Sequence, residues 1–157
     1  MKQKSKISAI LFYLLFIATI TAQSDGSKYF KTDNNIAIAG YDVVAYFNQN
    51  KAVEGSDKYQ AEYDGTIFQF SNKENKNLFV KTPEKFLPQY GGFCAFAVAA
   101  KNAKVPTDPT NFKLRDGKLY LFFNDMWDGK KFNTIIPWNA AEKNMLSKAE
   151  ENWKNLK

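Results

Sequence analysis

The apolar positions of this chain fall into short blocks punctuated by glycine, proline and asparagine, and their spacing changes from block to block. Tyr59 to Tyr63 and Thr66 to Phe70 flank Asp64-Gly65, with Tyr59, Ala61 and Tyr63 on one face. Asp-Gly between alternating apolar residues predicts a β-hairpin. Asn111 to Arg115 and Lys118 to Phe123 flank Asp116-Gly117 in the same way. The second strand of that pair is apolar nearly throughout, which suits a central position in a sheet. Helical signals separate and follow these hairpins. Ser71-Asn72-Lys73-Glu74 reads as a capping box opening a helix, with Leu78 and Phe79 on its buried face and Thr82-Pro83 closing it. Alanines at 95, 97, 99 and 100 predict a second helix from about Gly92 to Ala100. Trp138, Ala141, Met145, Ala149, Trp153 and Leu156 recur every three or four residues and predict a long C-terminal helix, with Pro137 in its first turn. Tyr41 to Phe47 suits either a strand or a short helical turn. Together these elements predict an α+β fold: a small antiparallel sheet built from hairpins, packed by about three helices.

The N-terminus has a different character. Lys2, Lys4 and Lys6 precede an apolar stretch from Ile7 to Ile20, followed by Thr21-Ala22 and the polar Gln23-Ser24-Asp25-Gly26. That order is the pattern of a secretory signal peptide over residues 1–22. The stretch is shorter than the ~20 residues of a spanning helix, so cleavage is expected to leave no membrane attachment. The mature protein is then exported, to the periplasm or the exterior. Residues 23–35 are polar and read as a flexible lead-in, and 36–157 as one domain. Signal removal takes three lysines from 22 basic residues and leaves a net charge of +3 against 16 acidic ones. The lysines are scattered and Arg115 is the only arginine. Such a surface carries no nucleic-acid footprint.

The candidate chemistry is narrow. Cys94 is the only cysteine and the chain has no histidine. An intramolecular disulfide is excluded, and a structural zinc site lacks its usual nitrogen and sulfur ligands. Cu(I) needs only two or three soft ligands. Met126 and Met145 are the thioethers of the mature chain, and Met145 belongs to the apolar helical face, which leaves Met126 to join Cys94. A second molecule, as in a homodimer, would be the other way to complete such a site. Placed in the first turn of its helix, Cys94 would have its thiolate favoured by the dipole, while burial among Phe93, Phe96 and Val98 would oppose it. The alternative is a small buried hydrophobe. Tyr41 and Asp42 offer the best polar pair, with Asp42 either a base or a capping carboxylate. Tyr90-Gly91-Gly92 either lets backbone approach a ligand closely or makes a plain turn before the helix.

These residues also resemble a known family. Gly40-Tyr41-Asp42-Val43-Val44-Ala45-Tyr46-Phe47, the Tyr63 to Phe70 hairpin and the block Pro88-Gln89-Tyr90-Gly91-Gly92-Phe93-Cys94-Ala95 are similar to exported YHS-domain proteins. So are Asp116 to Leu121 and the closing Ala149-Glu150-Glu151-Asn152-Trp153, so that the likeness spans about residues 36–156. The resemblance implies a module for binding or trafficking copper or another soft or heavy metal. Relatives of this type can carry selenocysteine at the position of Cys94, which implies redox chemistry or soft-metal binding there. Shorter metal-linked members commonly have paired cysteines, and this chain departs from them with one. Three functions are therefore expected in turn: a soft-metal binding protein using Cys94, a thiol redox protein using Cys94, and a non-catalytic ligand-binding or interaction module with Cys94 in its core.

Overall fold

The computed structural model describes residues 26–157. The expected signal peptide, residues 1–22, lies outside the described residues, as do residues 23–25. Three Asp-Gly turns organise the β-structure. Strands β1 (Ser56–Tyr63) and β2 (Thr66–Phe70) pair across Asp64-Gly65. β3 (Asp108–Arg115) and β4 (Lys118–Phe122) pair across Asp116-Gly117, and β5 (Asn124–Trp127) and β6 (Lys130–Asn133) across Asp128-Gly129. In all three turns φ is 49–51° at Asp and 69–73° at Gly. Positive φ at both positions gives the turn whose twist matches antiparallel strands. The third hairpin is absent from the sequence reading because its strands are mostly polar and do not alternate. Among the described residues the six strands form three two-stranded antiparallel sheets, one per hairpin, and β2 carries one further bridge, from Ile67 to Ile36. Helices α1 (Val43–Gln49), α2 (Lys73–Lys81), α3 (Ala95–Lys101), α4 (Ile135–Ala140) and α5 (Glu142–Leu156) complete the α+β fold.

Local chemistry moves several expected boundaries. The Tyr41 to Phe47 block forms α1 rather than a strand, because the Asp42 side chain caps it. The cap of α2 is Asn72, whose Oδ1 accepts from Asn75 N at 2.8 Å. Ser71 is not the cap; its hydroxyl is committed to Asp42. Phe79 is buried as expected, but Leu78 is 42% exposed. The C-terminal helix is two helices, broken at Ala141, where φ is −139°. Its apolar face survives the break: Trp138 and Ala149 are buried, and Met145, Trp153 and Leu156 pack beside them.

Two hydrophobic clusters form the core. The first joins Tyr29, Ile38, Val43, Val44, Tyr46, Phe68, Phe70 and Phe79. The second joins Tyr90, Phe93, Val98, Phe122, Trp138 and Ala149. β4 serves both. Leu119 and Leu121 enter the first cluster, while Tyr120 and Phe122 enter the second. Alternate side chains of a strand point to opposite faces, so both faces of β4 are buried although it pairs only with β3. Its apolar run therefore does not mark a central strand.

Within the expected flexible lead-in, Tyr29 and Phe30 are held against the domain, while Gly26, Lys28 and Thr32 to Asn34 are exposed. Tyr29 is buried, edge-on to Phe68 at 5.6 Å between centroids. Phe30 N donates to Gly91 O at 2.8 Å, and Phe30 O accepts from Ile38 N at 2.9 Å. This crossing explains the two glycines. Gly91 has φ +62°, and an added Cβ would lie 1.9 Å from Lys28 O. Gly92 has φ +84°, and its Cβ would lie 2.2 Å from Ile38 Cδ1. Gly91→Ala is expected to lower stability by roughly 3 kcal/mol or more, since backbone must move to admit it. Gly65→Ala, with φ +70° but nothing within 4 Å of the added Cβ, is the control and should cost about 1–2 kcal/mol. Equal shifts of the two urea midpoints would contradict the crossing as the reason for Gly91.

Candidate functional site

Cys94 is the N-cap residue of α3, one position before the first turn, and its side chain makes no capping bond. Its N–H donates to Val105 O at 2.9 Å and its carbonyl accepts from Val98 N at 3.0 Å. The residue has no exposed surface. Its sulfur meets two groups on the segment from β4 to α4. Phe123 N donates to Sγ at 3.4 Å, and Thr134 Oγ1 lies 3.3 Å from it. Thr134 Oγ1 itself donates to Phe123 O at 2.9 Å. A hydroxyl has one proton. With that proton committed to Phe123 O, the thiol is the donor to Thr134, and the three residues form a satisfied local network.

The sulfur itself is fully packed, but its residue stands in the wall of a cavity. That cavity measures about 120 Å³, and beside Cys94 its wall holds Phe96, Val105, Phe123, Trp127 and Phe132, with Thr134 and Lys101 as polar members. The β5–β6 hairpin supplies Trp127 and Phe132, which share one face because Asp125 pairs with Phe132 and Trp127 with Lys130. Trp127 is 61% exposed, so the hairpin forms an outer wall with solvent beyond it. Thr134, Phe123, Trp127 and Phe132 were invisible as site residues in the sequence. They lie 29 to 40 positions from Cys94 and carry no metal-ligand or catalytic spacing.

The expected second sulfur ligand is not beside the first. Met126 is 58% exposed and is not part of the cavity wall. It pairs with Lys131, on the hairpin face opposite Trp127. Among the described residues no group of three or more His, Cys, Asp or Glu is arranged to hold a metal ion. Around Cys94 the remaining donors are a hydroxyl and a backbone amide. This set offers one soft ligand and does not fit a Cu(I) site completed by a single chain.

Tyr41 and Asp42 do not share this site. Asp42 is fully buried and accepts five hydrogen bonds. Oδ1 takes Val44 N at 2.9 Å and Ala45 N at 3.2 Å, which caps α1. Oδ2 takes Ser71 N at 2.9 Å, Ser71 Oγ at 2.6 Å and Asn75 Nδ2 at 2.7 Å. Every donor is protein, so Asp42 is a structural cap and brace, not a base facing substrate. Tyr41 is half-buried against the first cluster. Its phenol is pushed above the ordinary tyrosine value by burial and by Glu54 and Asp108.

Tyr90 is buried with a left-handed backbone, φ 54°. Its hydroxyl donates to Glu150 Oε1 at 3.3 Å, and its ring meets Trp153 edge-on at 5.9 Å. Burial, then the Glu150 carboxylate, pushes its phenol far above the ordinary value, so it remains a proton donor. Gly92 O accepts from Thr107 Oγ1 at 3.1 Å. The Tyr-Gly-Gly block is thus used by the chain's own crossing and by α5, and it stands on the α5 side of Cys94 rather than in the Cys94 cavity.

No protein-family model matches this chain, and neither a curated protein nor a solved structure matches it. Asp42→Asn replaces an acceptor oxygen by a donor amide facing amide and hydroxyl donors. It is expected to cost roughly 2–4 kcal/mol, read as a lower urea midpoint, without changing the reactivity of Cys94. A loss under about 0.5 kcal/mol, the size of an ordinary surface change, would contradict the structural role.

Proposed function

We propose that this is an exported, YHS-like binding protein whose site is the apolar cavity over Cys94, and that it holds a small apolar ligand against the sulfur. One observation carries the reading: a buried thiol forms part of the wall of a cavity lined mainly by apolar and aromatic residues, Phe96, Val105, Phe123, Trp127 and Phe132 among them, with Thr134 and Lys101 as its polar members. An aromatic wall with a few polar groups is the common composition of small-ligand sites. The volume of about 120 Å³ limits the occupant to a few heavy atoms unless the exposed hairpin shifts. Copper enters this reading only as a complex that brings its own second donor, since the chain supplies one soft ligand here. A homodimer is not needed to complete the apolar site.

Reversible oxidation of Cys94 is the second reading, favoured by the position of the sulfur on a cavity wall. Peroxide would transfer one oxygen to sulfur, giving sulfenic acid and releasing water or an alcohol. The chain has no second cysteine, so an external thiol would have to form the mixed disulfide and complete the reduction.

The test is labelling of Cys94 in the folded protein with two methanethiosulfonates of similar size, one neutral and one cationic. The neutral reagent is expected to react at least tenfold faster, because a cation must leave water for a mostly apolar cavity whose one charged wall residue, Lys101, repels it. Trp127→Ala should accelerate both. Labelling that occurs only after unfolding would make Cys94 simple core and end the proposal. Protection by Cu(I) held at low free concentration by a chelator would instead restore the metal reading.

A further inference from the structure

Cys94 has no exposed surface, so a ligand meets its sulfur only after part of the protein moves. Most of what surrounds the residue is pinned. Val98 and Ala99 of α3 are buried in the second cluster, and Asn152 Nδ2 of α5 donates to their carbonyls at 2.8 and 3.1 Å. β4 is buried on both faces. The β5–β6 hairpin differs: every residue from Asp125 to Phe132 is exposed. A two-stranded hairpin has little stability of its own, and segments with few buried contacts are the ones that open locally.

The hydrogen bonds that attach this hairpin are made at its base. Asn111 on β3 holds both ends through one amide, its Nδ2 donating to Phe123 O at 3.3 Å and to Asn133 Oδ1 at 3.0 Å. Asn124 Nδ2 donates to Asp108 Oδ2 at 3.2 Å. Thr134 N and Thr134 Oγ1 both donate to Phe123 O and tie the two ends together. Further out, Phe132 meets Phe96 of α3 edge-on, with ring centroids 6.0 Å apart. The groups that touch the sulfur, Phe123 N and Thr134 Oγ1, belong to those same two ends. The cover of the sulfur and the outer wall of its cavity are therefore one element. Its closed position also carries a cost. Asn124 Oδ1 is buried without a hydrogen-bond partner, and water would relieve it once the base parts from β3.

We propose that the β5–β6 hairpin, with Phe123 and Thr134 at its base, is a lid that opens to admit a ligand to Cys94. Asn111 locks the base, and the Phe132–Phe96 contact latches the outer part. Opening draws Phe123 N and Thr134 Oγ1 off the sulfur and joins the cavity of about 120 Å³ to solvent, so the closed volume does not limit the occupant. The inference rests on the reading of that cavity as a ligand site and gives the site its gate.

Two rates in the full mature chain test this: labelling of Cys94 by neutral methyl methanethiosulfonate, and hydrogen exchange of the Phe123 and Thr134 amides followed by NMR. The amides of Val44 and Ala45, bonded to the buried Asp42 carboxylate, report global unfolding. A lid predicts that Phe123 and Thr134 are protected at least about tenfold less than Val44 and Ala45. Asn111→Ala removes the lock and Phe132→Ala the latch. Neither residue belongs to the two core clusters, so both variants should fold. In each, labelling and the exchange of Phe123 and Thr134 are expected to rise together by about fivefold or more, the usual effect of losing one hydrogen bond or aromatic contact. Labelling that is measurable but unchanged in both variants would overturn the lid and leave the cavity reading standing. So would faster labelling with unchanged exchange at Phe123 and Thr134, because the reagent would then pass a hairpin that stays closed. Labelling and exchange at Phe123 and Thr134 no faster than global unfolding allows would overturn both.

Discussion

The fold depends on one buried carboxylate. Asp42 has no exposed surface, and taking a carboxylate out of water is costly unless its oxygens are satisfied. Five donors satisfy it, and they come from three places: the first turn of α1, Ser71 at the end of β2, and Asn75 on α2. Hydrogen bonds to a charged acceptor are stronger and shorter than neutral ones, and the Ser71 and Asn75 contacts of 2.6 and 2.7 Å have that character. One side chain therefore fixes the angle between two helices and the hairpin that precedes the second. Phe68, Phe70 and Phe79 can then close on Val43, Val44 and Tyr46 as the first core.

From that core, β4 carries order to the second. Its inward residues alternate between the clusters, and the chain leaving it presents Phe123 N to the Cys94 sulfur. Thr134 arrives from the far side of the third hairpin and completes the contact. The position of the thiol thus follows from β4 and from the Asp128-Gly129 turn, not from the helix that Cys94 precedes. By the same logic the cavity lies where the third hairpin leaves α3.

Much of this was legible wherever local chemistry decides. Asp64-Gly65 and Asp116-Gly117 marked their hairpins because only residues that tolerate positive φ suit such turns. The spacing of Trp138, Ala149 and Trp153 marked an apolar helical face that survives a break at Ala141. Ser71 misled because a serine before a helix can bond its own backbone or a distant carboxylate, and only the tertiary fold brings Asp42 within 2.6 Å. Asp128-Gly129 carried the same turn signal as the others, but Asn124, Asp125, Lys130 and Lys131 hid the strands around it. The surroundings of Cys94 were unreadable for a similar reason. Phe96, Phe123, Trp127 and Phe132 look like ordinary core residues in sequence, and nothing local shows that they leave a space beside sulfur. Met126 was selected for its sulfur alone, and strand alternation turns it away.

The central claim is that the space beside Cys94 is a true apolar cavity rather than packed core. A crystal of the mature protein pressurised with xenon tests it most directly, because xenon enters apolar cavities and ignores filled ones. The account predicts one xenon atom in the cavity whose wall includes Cys94, Phe96, Trp127 and Phe132. A hairpin closed onto the sulfur, with no xenon there, would contradict it.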